Sequence, residues 1–147
     1  MILRMKKLLL LTLLLTLTAC ARRTAGPLAE DAPPDQVPNI VGEYALNGFD
    51  PEGNEYGGRL KVTLQENGEY LLQWIISDSL QEGTGTLTGN QLIVTWKTVE
   101  GFPVQLTGTA TYTVTVAGEL YGYKSVDGHE GQGTEAAYPN SGENMSK

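Results

Sequence analysis

Between Ile40 and Pro139 apolar and polar residues exchange places at every second position, and that period excludes a helical domain. Leu60, Val62 and Leu64 share one phase while Arg59, Lys61 and Thr63 take the other, the pattern of a strand wetted on one face. Asn67-Gly68 follows, a strong hairpin signal between two alternating runs, and Tyr70, Leu72, Trp74 and Ile76 bring the chain back. A thin segment with Gly83, Gly85 and Leu87 comes next; Gly89-Asn90 turns it into Leu92, Val94 and Trp96. Val104 to Thr107, then Tyr112, Val114 and Val116, lead through Ala117-Gly118 to Leu120 to Tyr123. Asp127-Gly128 precedes a last strand around Gly131 to Ala137. Counting Val41 to Leu46, this makes roughly seven to nine strands spaced about 8 to 12 residues apart, as in barrels and sandwiches. Because the links are tight hairpins without a long crossover, the expected fold is all-β: an antiparallel up-and-down meander closing into a barrel of about eight strands.

The same period sorts side chains into an inside and an outside. The inward set is bulky: Leu60, Val62, Leu64, Tyr70, Leu72, Trp74, Ile76, Leu92, Val94, Trp96, Leu106, Tyr112, Val114, Val116 and Leu120. An eight-stranded interior either is filled by such side chains or holds one small ligand. A filled core is the first expectation; the alternative is a cavity with Trp74, Trp96, Tyr70 and Tyr112 as ligand-binding residues. Tyr121 and Tyr123 fall in the opposite phase from Leu120, on the outer face, where they form a candidate protein-binding surface. The glycine pairs 83/85 and 131/133 are expected at corners of the closing sheet.

The flanks carry a different message. Arg4, Lys6 and Lys7 precede an apolar run from Leu8 to Leu17, too short to span a bilayer as a helix but suited to a secretory signal. The run ends in Leu17-Thr18-Ala19-Cys20, and Cys20 is the one cysteine of the chain. These four residues resemble the bacterial lipobox, which implies cleavage before Cys20, a diacylglycerol on its thiol, and further acylation such as palmitate. The expected organisation is therefore a signal peptide over 1–19, a lipidated Cys20 with a proline-rich tether over 20–39, a β domain over 40–139, and a polar tail over 140–147. At roughly 3 Å per residue such a tether reaches about 55 Å from the bilayer.

Composition limits the partners and the chemistry. The chain of 147 residues has a net charge of −7; loss of residues 1–19, with three basic residues and no acidic ones, makes it −10. That surface repels nucleic acid and gains nothing from anionic headgroups, so acyl chains supply the membrane attachment. His129 is the one histidine, in a stretch with turn composition, and no serine stands in a nucleophile elbow. No Cys or His pair has zinc spacing. Asp50-Pro51-Glu52-Gly53-Asn54-Glu55 has oxygen ligands at alternate positions, but its glycine is fourth and Lys61 stands twelfth, which departs from a calcium loop. No metal, no cofactor and no enzymatic activity are expected.

Gly42-Glu43-Tyr44, Gly48, the run Asp50 to Gly58, Tyr70, Trp74, Gly83 to Leu92, Gly133-Thr134-Glu135 and Pro139 together resemble a group of small secreted or lipid-anchored bacterial all-β proteins. Most have no assigned role, and some are described as fibronectin-binding lipoproteins. The pattern consists of turn glycines and strand aromatics, so it implies a fold and brings no catalytic residues with it. Gly42-x-Tyr44 and Thr95-Trp96-Lys97 are also similar in outline to avidin-type and lipocalin-type barrels, although avidin-like sites use more tryptophans than the two present.

These readings combine into one expectation: a membrane-anchored lipoprotein with a non-catalytic β domain that binds a protein partner at the cell envelope, the cell surface or the host matrix. The alternative is a lipocalin-like carrier of a small apolar ligand held beside Trp74 and Trp96. The expected location is the bacterial envelope. The resemblance to bacterial lipoproteins implies that Ala21 after the lipidated cysteine, where an inner-membrane retention signal would have Asp, favours the outer membrane where the host has one; otherwise the outer face of the cell membrane is expected.

Overall fold

The computed structural model describes residues 26–101 and 103–140. The lipobox, Cys20 and the tail beyond Asn140 lie outside the described residues. Eight strands follow one another: β1 (Gly42–Phe49), β2 (Glu55–Leu64), β3 (Tyr70–Ile76), β4 (Ser79–Thr88), β5 (Gln91–Glu100), β6 (Thr107–Val114), β7 (Leu120–Val126) and β8 (Gly133–Pro139). Each pairs antiparallel with the next, and β8 returns to β1 from Tyr44 opposite Pro139 to Phe49 opposite Thr134, closing an up-and-down barrel. Closure gives each of the eight strands a partner on both sides, so none is a free edge.

The two-residue period carries through to burial. On β5, Leu92, Val94, Trp96 and Thr98 are buried while Ile93, Thr95, Lys97 and Val99 face solvent. The interior is packed with Leu46, Leu60, Leu72, Trp74, Tyr112, Val114 and Leu120. Gly83 and Gly85 are buried on β4, where a Cβ would press against Val94 and the neighbouring backbone of β5, as expected for a bending sheet.

Some expected inward positions are corrected. Leu64 is the last residue of β2 and is 52% exposed, because the strand has run past the barrel end before the Gln65–Glu69 turn. Val116, 53% exposed, belongs to the turn after β6. Val104 precedes β6 and is exposed, and Gly131 sits with positive φ in the turn before β8, which starts at Gly133.

The two barrel ends differ. One is closed by the segment before β1. The N–H of Ala32 donates to the carbonyl of Val114 (2.9 Å), that of Val116 to Glu30 (2.8 Å), and the side-chain amide of Asn90 to the carbonyl of Ala32 (2.8 Å). Ala32 and Ile40 are buried, Val37 packs on the core, and the Tyr44 hydroxyl donates to the carbonyl of Ile40 at 2.6 Å. The segment expected as a tether over 20–39 is thus fastened to the barrel from Ala29 onward, because its small apolar residues cover an end that the hairpins leave open. Among the described residues, no segment covers the opposite end, with the β1–β2, β3–β4, β5–β6 and β7–β8 turns, in this way.

Candidate ligand-binding site

Strands β7 and β8 carry opposite charges to the interior on the phase of their apolar residues. Lys124 lies in step with Leu120 and Val126; Glu135 lies in step with Gly133 and Ala137. The Lys124 Nζ stands 3.3 Å from Glu135 Oε1, with side-chain exposures of 7% and 0%. An ion pair so far from water survives only when its remaining hydrogen-bonding capacity is met.

Here it is met on the acidic side. Glu135 Oε1 accepts from the Tyr56 hydroxyl at 2.7 Å, and Oε2 accepts from the Tyr112 hydroxyl and from Trp74 Nε1 at 3.2 Å. With Lys124, four donors from β2, β3, β6 and β7 converge on one carboxylate of β8. Burial and the adjacent carboxylate push the Tyr56 and Tyr112 hydroxyls well above the ordinary phenol range, so both remain donors. Gly48 faces Tyr56 across β1 and β2, and a Cβ there would run into the phenol ring.

Lys124 is held by different means. Its ammonium donates to Gln81 Oε1 at 2.5 Å and lies 4.4 Å from the Trp74 ring centroid and 4.7 Å from that of Trp96. Two ring faces and a carbonyl replace water around the charge. Desolvation nevertheless pulls the Lys124 amine below the ordinary lysine range, with Glu135 opposing the shift. Gln81 is turned inward next to a register shift between β4 and β5 at Leu80/Gln81. Bulges of this kind re-aim side chains at barrel rims.

Above this network the barrel end opens into a cavity of about 250 Å³. Tyr56, Ile76, Trp96, Leu106 and Val126 make its apolar wall, Lys124 and Gln81 supply the polar groups, and Asp50 and Pro51 of the β1–β2 turn form part of the rim. Trp96, 3% exposed, also carries an indole N–H that finds no acceptor among the described residues. Asp50 accepts from the backbone N–H of Asn54 at 2.7 Å and from its side-chain amide at 2.8 Å, bonds that hold its carboxyl below the usual range.

Of the four aromatic residues expected at a ligand, Trp96 alone borders this cavity. Trp74 and Tyr112 are fully buried in the network that orients Glu135 and Lys124. Tyr70 is at the start of β3, opposite Leu64 and Gly85, and packs on the core away from the mouth. On the outer face, the Tyr121 hydroxyl donates to Asp31 of the end-closing segment at 2.7 Å, while Tyr123 is 58% exposed. Lys124, Glu135, Gln81 and Tyr56 are not among the ligand-binding residues expected from the sequence, where Glu135 and Tyr56 figure only in the resemblance. The signal for the first two was present, since the two-residue period that turns Leu120 and Ala137 inward turns them inward as well. No family model matches the chain, and no curated protein matches it significantly.

Proposed function

We propose that this chain is an envelope lipoprotein whose non-catalytic barrel binds a small, largely apolar ligand at its open end. The observation that carries the reading is the 250 Å³ cavity walled by Trp96, Tyr56, Ile76, Leu106 and Val126 over a preorganised polar floor. Ligand sites in barrels combine an apolar wall with a few positioned polar groups in this manner. At about 30 Å³ per water-sized group, the space suits a molecule of roughly eight to ten non-hydrogen atoms. Binding without turnover fits the network below, where Glu135 is engaged by four donors and, among the described residues, no nucleophile with an adjacent free base lines the cavity. The Leu17-Thr18-Ala19-Cys20 motif supports a lipid anchor, and the N-terminal segment joins the barrel at the end opposite the cavity. Attached there, the barrel would hold its mouth away from the point of attachment.

A small outer patch favours a protein partner as the second reading. Ile93 and Tyr123, 59% and 58% exposed, flank Thr111 across β5, β6 and β7.

The test of the first reading is to fill the mouth. Val126→Trp places a large ring where the wall now has a small side chain, and the variant should fold with an unchanged or raised melting temperature. Single-ring compounds at ~100 times their Kd should add about 2.7 kcal/mol to the parent, a rise on the order of 10 °C, and nothing to the variant. A Val126→Trp protein that binds as the parent does would move the site elsewhere. For the anchor, Cys20→Ser should release the protein from the membrane fraction or leave it as unprocessed precursor.

A further inference from the structure

The cavity floor is unequal in its hydrogen-bonding capacity, and the inequality names the kind of ligand, provided that the mouth is a ligand site. Glu135 is the one acidic group in the buried network, and its two oxygens already receive Tyr56, Tyr112, Trp74 and Lys124. It has no lone pair to offer that is not already shared.

The polar groups on the cavity floor are donors, and the one carboxylate on its rim, Asp50, already accepts from the backbone and side-chain N–H groups of Asn54. Lys124 has three N–H bonds and two acceptors among the described residues, Gln81 Oε1 and Glu135 Oε1. Gln81 turns its carbonyl oxygen to the ammonium, which leaves its N–H₂ group, at the other end of the same planar amide, as a donor. A ligand bringing only donors would leave these groups unmatched, and a cationic one would meet the Lys124 ammonium directly. A wholly apolar ligand would strip water from them without replacement, at the cost that attaches to any buried unmatched polar group.

We propose that Lys124, assisted by Gln81, is the polar anchor of the site, and that the ligand is a compact apolar body bearing a carbonyl or carboxylate oxygen. The apolar body lies against Trp96, Ile76, Leu106 and Val126, and the oxygen accepts from the ammonium. The Lys124–Glu135 pair is electrically neutral as a unit, so a neutral carbonyl oxygen enters without unbalancing the charge, whereas a carboxylate is received only through direct contact with the ammonium. Tyr112 and Trp74 hold Glu135 from behind and are positioning residues.

The experiment is a calorimetric titration of the parent with four single-ring probes matched in size: benzoate, benzamide, toluene and benzylamine. Benzoate and benzamide should bind at least tenfold more tightly than toluene and benzylamine. Lys124→Met should remove that advantage, weakening benzoate and benzamide while toluene, which no longer strips water from an ammonium, binds as well or better, and Gln81→Leu should reduce it. Should Lys124→Met fail to fold because Glu135 loses its partner, the Lys124→Met/Glu135→Gln double variant, whose interior carries no charge, gives the same comparison. Equal binding of all four probes, or benzoate binding unaffected by these variants, would overturn the role of Lys124 while leaving the mouth as a ligand site. If none of the four bound the parent, both the anchor and the mouth reading would fall.

Discussion

At the scale of single residues, Glu135 decides whether the interior is consistent with itself. Removing one partner of a buried ion pair leaves an uncompensated charge, whereas replacing both by apolar groups of similar volume is often neutral or stabilising. Glu135→Leu strands the Lys124 ammonium and removes the acceptor for Tyr56, Tyr112 and Trp74 together, so it should cost roughly 3–5 kcal/mol. Glu135→Gln keeps one acceptor oxygen and should cost less, and Lys124→Met combined with Glu135→Leu should recover a large part of the single-variant loss. Urea melts of the three proteins measure it; a double variant no more stable than Glu135→Leu alone would show that the pair is not the seat of the cost. The sequence contained this pair in phase with the core. A lysine and a glutamate on a strand are ordinarily solvated, and the period alone does not tell which barrel face a charged residue can tolerate. Only the convergence of Tyr56, Tyr112 and Trp74, from strands far apart in the chain, shows why these two are tolerated inside.

Among the elements, the strands and their order were legible and the covering of the closed end was not. Tight turns such as Asn67-Gly68 and Gly89-Asn90 dictate hairpins, and eight hairpin-linked strands have little choice but a meander. The errors fall at strand ends, where Leu64 and Val116 keep the inward phase but have passed the edge of the barrel. The segment from Ala29 to Ile40 has no period at all, since four prolines in the 20–39 stretch preclude one, and its fastening rests on backbone groups of Ala32 and Glu30 that no composition reveals. A chain shortened to begin at Asn39 should therefore still fold but lose about 2–3 kcal/mol, the combined effect of uncovering Val37, Ala32 and the core beneath them. Chemical denaturation of the two lengths checks this; equal stability would return the segment to the status of a plain tether.

For the whole molecule, the barrel is a vessel closed at one end by its own N-terminal segment and floored midway by a buried polar network. Its response to alkali follows from the phenols. Tyr44, Tyr56 and Tyr112 all have hydroxyls pushed above the ordinary value by burial. Groups raised in the folded state contribute stability fully present below their unfolded pKa, about 10 for tyrosine, and lost as pH rises beyond it. Lys124, lowered in the folded state, works in the opposite direction as pH approaches the ordinary lysine value, but it is one group against three. Melting temperature should accordingly hold steady through neutral pH and fall above about pH 10, with tyrosinate absorbance appearing only as the protein unfolds. Ligand binding at the open end is tested most directly by following backbone and indole N–H resonances while adding benzoate or whichever single-ring compound stabilises the protein most. Shifts are expected at the Trp96 indole and at Gln81, Lys124 and Val126, with Asn90, Thr115 and the rest of the closed end unmoved. Shifts confined to Ile93, Thr111 and Tyr123 on the outer wall, or none at the mouth, would contradict it.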